Sequence, residues 1–286
     1  MRIATDIAAL RALLRTARTD GARIAFVPTM GNLHAGHQAL FTRARQHAEV
    51  VVASVYVNPL QFGADDDFEA YPRTPEQDRE VLEAAGVDIL FVPDDAQIYP
   101  RGRAAHTWVE VPGISDQLCG EFRPGHFRGV TTVVARLFNL VAPDVALFGK
   151  KDYQQCLLIR LMVGDLGLPI EVIGVDTVRE PDGLALSSRN RYLTADERRR
   201  APRLHATLAD LASQIRQPGA AIPALEAKAQ QALRDAGFRP DYVSVRRQAD
   251  LAPPAAGDRA LVVLAAAWLG RARLIDNLEI NLNPSG

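Results

Sequence analysis

Two histidines three residues apart, His34 and His37, stand in the run Pro28-Thr29-Met30-Gly31-Asn32-Leu33-His34-Ala35-Gly36-His37. The apolar residues 24–27 before it read as a buried strand, and residues 38–45 after it read as a helix. In an open α/β sheet such a turn lies at the carboxyl ends of the strands, where ligands bind. A helix N-terminus there supplies N–H donors and a partial positive charge, which suits an anion. Imidazoles at i and i+3 share one helix face. Gly36 between them lets a flat ring approach the backbone. The arrangement fits a nucleotide whose phosphates rest on His34 and His37. Paired surface or capping histidines are the plainer reading, and H-x-G-H in this turn weighs against it.

Four other stretches carry polar chemistry. Val57-Asn58-Pro59-Leu60-Gln61-Phe62-Gly63 follows the second strand, and Asn58 and Gln61 offer neutral donors and acceptors to a small polar substrate. An ordinary Asn-Pro turn explains that segment equally well. Phe148-Gly149-Lys150-Lys151-Asp152-Tyr153-Gln154-Gln155 runs from a strand end into a helix. A lysine here could reach a phosphate, and Asp152 could cap the helix or hold a ribose hydroxyl. It is not a P-loop, because no Ser or Thr follows Gly149-Lys150. Leu186-Ser187-Ser188-Arg189-Asn190 sets two hydroxyls and a guanidinium in one loop, a good grip for a polyphosphate, although taken alone it reads as an ordinary loop and only its place at the domain boundary raises it. Residues 121–129 form a basic segment that serves equally as an anion attractor, a structural loop or a subunit contact.

These residues need a frame. Strand patterns at 23–28, 49–57, 87–92, 144–148 and 170–176 are rich in Val and Ile without polar alternation, as in strands covered on both faces. Helix patterns at 36–47, 75–85, 128–141 and 152–166 lie between them. Thr74-Pro75 opens the second of these with a capping Thr and Pro at the first helical position, and Gly86 ends it. The expectation is α/β: a doubly wound, Rossmann-like parallel sheet over residues 1–177, with a smaller α+β lid domain over 178–286. In that second part Thr194-Ala195-Asp196-Glu197 is a capping box, 221–236 is helical, and 240–246, 260–268 and 273–281 are strands close enough to pair antiparallel.

Composition bounds the rest. The 286 residues are 48% hydrophobic and carry a net charge of −1, enough for a large core and no bulk affinity for nucleic acid. Cys119 and Cys156 fit a reduced cytosolic protein and make no metal pattern with the histidines. No apolar run is long enough to span a membrane, and no signal-peptide core opens the chain. Residues 5–17 read as an amphipathic helix with Ile7, Leu10, Leu13 and Leu14 on one face; Asp6 and Asp20 argue against an Arg-rich transit peptide.

Taken in order, these motifs resemble those of the pantoate–β-alanine ligase (pantothenate synthetase) family. The likeness also takes in Tyr-Pro-Arg-Thr at 71–74 and Arg-Pro-Gly-His-Phe-Arg-Gly-Val at 123–130. H-x-G-H alone would mark only the wider nucleotidyltransferase superfamily. The resemblance implies that ATP and pantoate form pantoyl adenylate and pyrophosphate, after which β-alanine attacks to give pantothenate and AMP, with Mg²⁺ accompanying ATP. It places Met30, Gly31, Asn32, Leu33, His34, Ala35, Gly36 and His37 along the ATP site. Gly149 and Asp152 would hold the adenosine part, with Lys150 and Leu186 beside the nucleotide and Val178 near the base. Lys151, Ser187, Ser188 and Arg189 would contact phosphates. Gln61 and Gln155 would bind pantoate, Gln61 would also serve β-alanine, and Asn58 would lie in the same pocket. No side chain is assigned to a metal. The resemblance further implies a cytoplasmic homodimer acting on small molecules, without nucleic acid or membrane. Lys150 and Leu186 depart from the family pattern, the former adding a positive charge near the phosphates.

The nearest alternatives are an adenylyltransferase acting on phosphopantetheine, which lacks the second acceptor step, and a non-catalytic ATP sensor, which has no need of so many phosphate-directed groups. A tRNA synthetase is disfavoured by the neutral charge and the lack of a long anticodon-binding region.

Overall fold

A computed structural model describes residues 1–63, 68–217 and 219–282. The chain forms two compact units, one of residues 1–150 and 155–176, the other of 151–154 and 177–286. The sequence-based division at 177/178 differs in placing residues 151–154 and Thr177 with the first unit; residues 151–154 directly follow a strand end of that unit.

The first unit runs β1 (Arg2–Ala4), α1 (Ile7–Thr19), β2 (Ile24–Thr29), α2 (Ala35–Arg45), β3 (Val50–Val55), α3 (Pro75–Ala84), β4 (Ile89–Phe91), α4 (Asp95–Ile98), α5 (Cys119–Phe122), α6 (His126–Val141), β5 (Val145–Gly149), α7 (Tyr153–Asp165, whose first two residues group with the second unit) and β6 (Glu171–Val175). Its six strands are all parallel, in the order β1-β4-β3-β2-β5-β6. The strand order reverses beside β2, whose neighbours are β3 and β5. That switch point opens a crevice at the carboxyl ends. The segments leaving β2, β3 and β5 are those that carry His34 and His37, Gln61, and Lys150. Burial on both faces explains the unbroken apolar runs: Ile24, Ala25, Phe26 and Val27 are all buried, as are Val145, Ala146 and Leu147.

Helix starts show where local sequence rules hold. Asp6 caps α1 by accepting the Ala9 N–H at 2.7 Å, and α1 buries Leu10, Leu14 and Ala17. Thr74 does not cap α3 as expected. Its backbone sits at φ −125°, ψ 59°, away from the extended geometry a capping side chain needs, and it makes no cap hydrogen bond. The short β1, α4 and α5 leave no mark on the sequence pattern, because three or four residues carry no periodicity.

The second unit contains α8 (Ala195–Arg200), α9 (Arg203–Ile215), α10 (Ile222–Asp235), β7 (Arg239–Arg247), β8 (Ala260–Leu269) and β9 (Ala272–Asn281). The three strands form an antiparallel sheet in the order β7-β8-β9. Leu204, Leu208 and Leu211 of α9 and Leu233 of α10 join Val245, Val263 and Ile280 of the sheet in one core. The Thr194 capping box forms as expected: Thr194 Oγ1 accepts the Glu197 N–H at 3.3 Å, and Glu197 Oε2 accepts the Thr194 N–H at 2.8 Å. Among the described residues no helix is long and apolar enough to cross a membrane.

Candidate active site

The β2–α2 turn builds its own cap from the two histidines. His34 is the N-cap of α2 in extended conformation, and its Nδ1 accepts the Gly36 N–H at 3.1 Å. His37 Nδ1 accepts the His34 N–H at 3.2 Å. Two backbone donors of this turn, the His34 and Gly36 N–H groups, are thus met by imidazole nitrogens, where the sequence leads one to expect donors open to an anion. An Nδ1 that accepts an N–H carries no proton, so each neutral ring bears its hydrogen on Nε2. Each imidazole passes the donor character of the helix N-terminus outward by one ring.

The approach to this cap is held by a carboxylate. Gly31 at φ +79° and Asn32 at φ +52° bend the chain through the left-handed region. Asp78 of α3, 3% exposed, accepts the Asn32 N–H at 3.0 Å and the Leu33 N–H at 2.7 Å. A Cβ on Gly31 would come within 2.7 Å of Asp78 Oδ2, so glycine is required on both counts. Sequence reasoning misses Asp78: in the first turn of a helix an acidic residue reads as a dipole partner, and nothing local points to the loop it holds.

Gln61 lies in a single 3₁₀ turn, Pro59–Gln61, after β3. Its Nε2 donates to Met30 Sδ at 3.2 Å, joining the second motif to the first. Its Oε1 accepts from Asn58 Nδ2 at 3.1 Å. Its backbone carbonyl accepts from His126 Nδ1 at 2.7 Å and Arg123 Nη2 at 3.2 Å. The basic segment 121–129, for which the sequence allows three roles, therefore grips the Pro59–Gln61 turn. Arg123 Nη1 donates to His126 Nε2 at 3.1 Å, so the His126 proton sits on Nδ1, the reverse of His34 and His37. Gly129 lets α6 approach this turn: a Cβ there would stand 2.2 Å from the Leu60 carbonyl oxygen.

Gly149 closes β5 in register with Val175. Lys150 Nζ pairs with Asp176 at 2.9 Å, so the extra charge expected near the phosphates is balanced at the end of β6. Asp152 ends the 3₁₀ turn Lys150–Asp152 and lies 3.8 Å from Lys151 Nζ. Gln155 is in the first turn of α7.

Within the second unit, the Lys151 carbonyl accepts from Asn277 Nδ2 at 2.9 Å. Val178 and Leu186 face each other, the Val178 carbonyl accepting the Leu186 N–H at 3.0 Å. Next to them Arg179 forks onto Asp276 with contacts of 2.7 and 2.8 Å. Asp276 is 3% exposed. Burial alone would raise its carboxyl pKa, but the His205 Nδ1 contact at 3.4 Å, the Arg179 hydrogen bonds and the Arg179 charge outweigh it and hold the carboxyl below its ordinary range. This ion pair anchors the turn that leads to Ser187. Ser187 Oγ accepts the Arg189 N–H at 3.2 Å, and Ser188 and Arg189 open the 3₁₀ stretch Ser188–Tyr192. Lys151, Ser187, Asn190, His205 and Asp276 line one small pocket. Asn277, Arg179 and Asp276 also escape sequence reasoning, since residues of this kind in and beside strands carry no motif.

A family model described as pantoate-beta-alanine ligase matches residues 2–279. The chain is 60% identical over 269 residues to a pantothenate synthetase of Shewanella amazonensis, covering 94% of this chain and 95% of that protein. It is 57% identical over 279 residues to one of Thioalkalivibrio sulfidiphilus, covering 98% of each. The crystal structure of pantothenate synthetase from Thermus thermophilus matches with TM-score 0.91 at 47% identity, covering 98% of this chain and 100% of that one. A pantoate-beta-alanine ligase from Francisella tularensis, crystallised with beta-gamma ATP and beta-alanine, matches with TM-score 0.79 at 33% identity over 97% of each chain.

Proposed function

Because this chain belongs to the pantoate–β-alanine ligase family, whose reaction is the ATP-dependent condensation of pantoate with β-alanine to form an amide bond, we propose that its two histidines and the Lys151, Ser187, Ser188 and Arg189 group act on the triphosphate of ATP while Gln61 and Gln155 bind pantoate. The observation that carries this reading is the double imidazole cap of α2. It aims Nε2–H donors from a helix N-terminus, and a phosphate oxygen is their natural acceptor.

The chemistry needs no protein nucleophile. A carboxylate oxygen of pantoate attacks the α-phosphorus in line, the bond to the β-phosphate oxygen breaks, and pyrophosphate departs with the electron pair. The β-alanine amine then attacks the acyl carbon of pantoyl adenylate. The acyl–oxygen bond to AMP breaks, and the amine proton is lost as the amide forms. Catalysis therefore reduces to positioning and to stabilising charge on phosphate oxygens. His34 and His37 donate hydrogen bonds, Lys151 adds a point charge, and Arg189 offers a planar fork. Residues 30–33 shape the floor along which the nucleotide lies, together with Ala35, Gly36 and Gly149. Lys150, Asp152, Val178 and Leu186 belong to the nucleotide side.

Mg²⁺ enters as part of the nucleotide substrate. The assigned groups are N–H and O–H donors that match phosphate oxygens. A cytoplasmic location and a homodimer rest on the family resemblance; light scattering of the purified protein tests the latter. The test of the reaction is pyrophosphate release. It is expected from ATP only when pantoate is present, with pantothenate and AMP formed in equal amounts once β-alanine is added. Pyrophosphate released at the same rate without pantoate would overturn the assignment.

A further inference from the structure

The amide of Asn58 is fully committed inside the protein. It is 1% exposed. Its Oδ1 accepts the Leu60 N–H at 3.3 Å and the Tyr99 O–H at 2.6 Å. Its Nδ2 donates to the Gly129 carbonyl and to Gln61 Oε1, both at 3.1 Å. A primary amide has two N–H donors and two acceptor positions, so all four are used and none remains for substrate. The orientation is not arbitrary. The Gly129 carbonyl can only accept and the Leu60 N–H can only donate, and together they decide which end of Asn58 is nitrogen. That decision passes to Gln61, whose Oε1 must meet an Asn58 N–H. The Nε2 end of Gln61 then faces away from Asn58 and, among the described residues, meets a thioether, a weak acceptor, opposite one of its hydrogens. Tyr99 helps hold the chain of bonds. It is 3% exposed, and burial with the nearby Asp95 charge keeps its phenol protonated far above neutral pH, hence always a donor.

We infer that Asn58 and Tyr99 are positioning residues that lock the Gln61 amide with its N–H edge toward substrate, so that Gln61 recognises an oxygen acceptor of pantoate, a carboxylate or hydroxyl oxygen, and Asn58 touches no substrate. This rests on the proposed binding of pantoate by Gln61. Without the lock the amide could turn over and present its carbonyl oxygen, which repels a carboxylate.

A double-mutant cycle tests it. Asn58→Asp keeps the shape but removes both donors, and is expected to raise the pantoate KM about tenfold, as loss of a charge-assisted hydrogen bond does, with the ATP KM within about twofold of wild type. Tyr99→Phe keeps the ring and is expected to raise the pantoate KM about threefold. In a Gln61→Ala background neither change should add any further loss, because both act through Gln61. Circular dichroism and thermal melting identify variants that fold. Should Asn58→Asp not fold, the Tyr99→Phe cycle decides alone. Losses that multiply in the Gln61→Ala background overturn the inference, as does a wild-type pantoate KM in Tyr99→Phe or an equal rise in the ATP KM. A Gln61→Ala enzyme with wild-type pantoate KM overturns the underlying assignment of Gln61 and the inference with it.

Discussion

His37 closes the helix cap on His34: its Nδ1 accepts the His34 backbone N–H at 3.2 Å, and the two ring centroids lie 4.2 Å apart at an interplanar angle of 51°. One pair of residues therefore terminates a helix and carries its ring hydrogens on Nε2. The two roles can be separated. His34→Asn retains a good capping acceptor but lacks the reach of the ring. It is expected to melt close to wild type yet lose about 10²–10³ in the rate of adenylate formation. His34→Ala should lose the same rate and about 1 kcal/mol of stability in addition. Thermal melting beside pyrophosphate release checks both, and an Asn variant with near-normal turnover would remove His34 from the chemistry.

Asp78 holds the histidine loop from a helix two elements away. Asp78→Asn keeps one acceptor but turns an NH₂ toward one of the two backbone N–H groups, at a cost of about 1–3 kcal/mol for the unpaired donor. Because the loop precedes His34, the ATP KM should rise and kcat fall, while the pantoate KM changes little. Steady-state kinetics with each substrate varied in turn reads this split; a pantoate KM that rises as much as that for ATP would point to general damage.

Arg189 is assigned to the triphosphate. Arg189→Lys keeps the charge and removes the planar fork. Formation of pantoyl adenylate should slow, whereas attack of β-alanine on preformed adenylate should suffer less, since pyrophosphate has already left. Single-turnover measurement of the two half-reactions separates them, and a variant slow only in the second contradicts the role.

The Arg179–Asp276 pair sets an acid limit on the second unit. The Asp276 carboxyl is held below its ordinary value of 3.8, so its contribution to stability is present at neutral pH and disappears as pH falls through the lowered value. Asp276→Asn leaves Arg179 without its buried counter-charge and should cost about 3–5 kcal/mol at neutral pH. The gap in Tm between wild type and variant should then narrow as pH drops below 3.8. Thermal melts from neutral pH into acid follow the gap, and one that widens in acid would refute a lowered Asp276 pKa.

What was legible in the sequence was whatever short-range physics writes there. Parallel strands buried on both faces must be apolar throughout, so residues 24–27 and 145–147 stood out, and the motifs between them fell at the carboxyl ends because α/β connections leave them there. The Thr194 box was readable because both of its partners lie within one turn. The order of six short motifs sufficed to point to the family. The sequence could not say which of these residues touch one another. Asp78 meets Leu33 across 45 positions, Tyr99 meets Asn58 across 41, Arg179 meets Asp276 across 97, and Asn277 meets Lys151 across 126. A lone Asp, Tyr or Asn has no periodicity and no fixed spacing to its partner, and its hydrogen-bonding valence is filled only when the fold brings that partner within about 3 Å. For that reason the chemistry of His34 and His37, and the cap they build within one turn, belong to short-range structure, whereas the commitment of the Asn58 amide and the grip of Arg123 and His126 on Gln61 were decided by the tertiary structure.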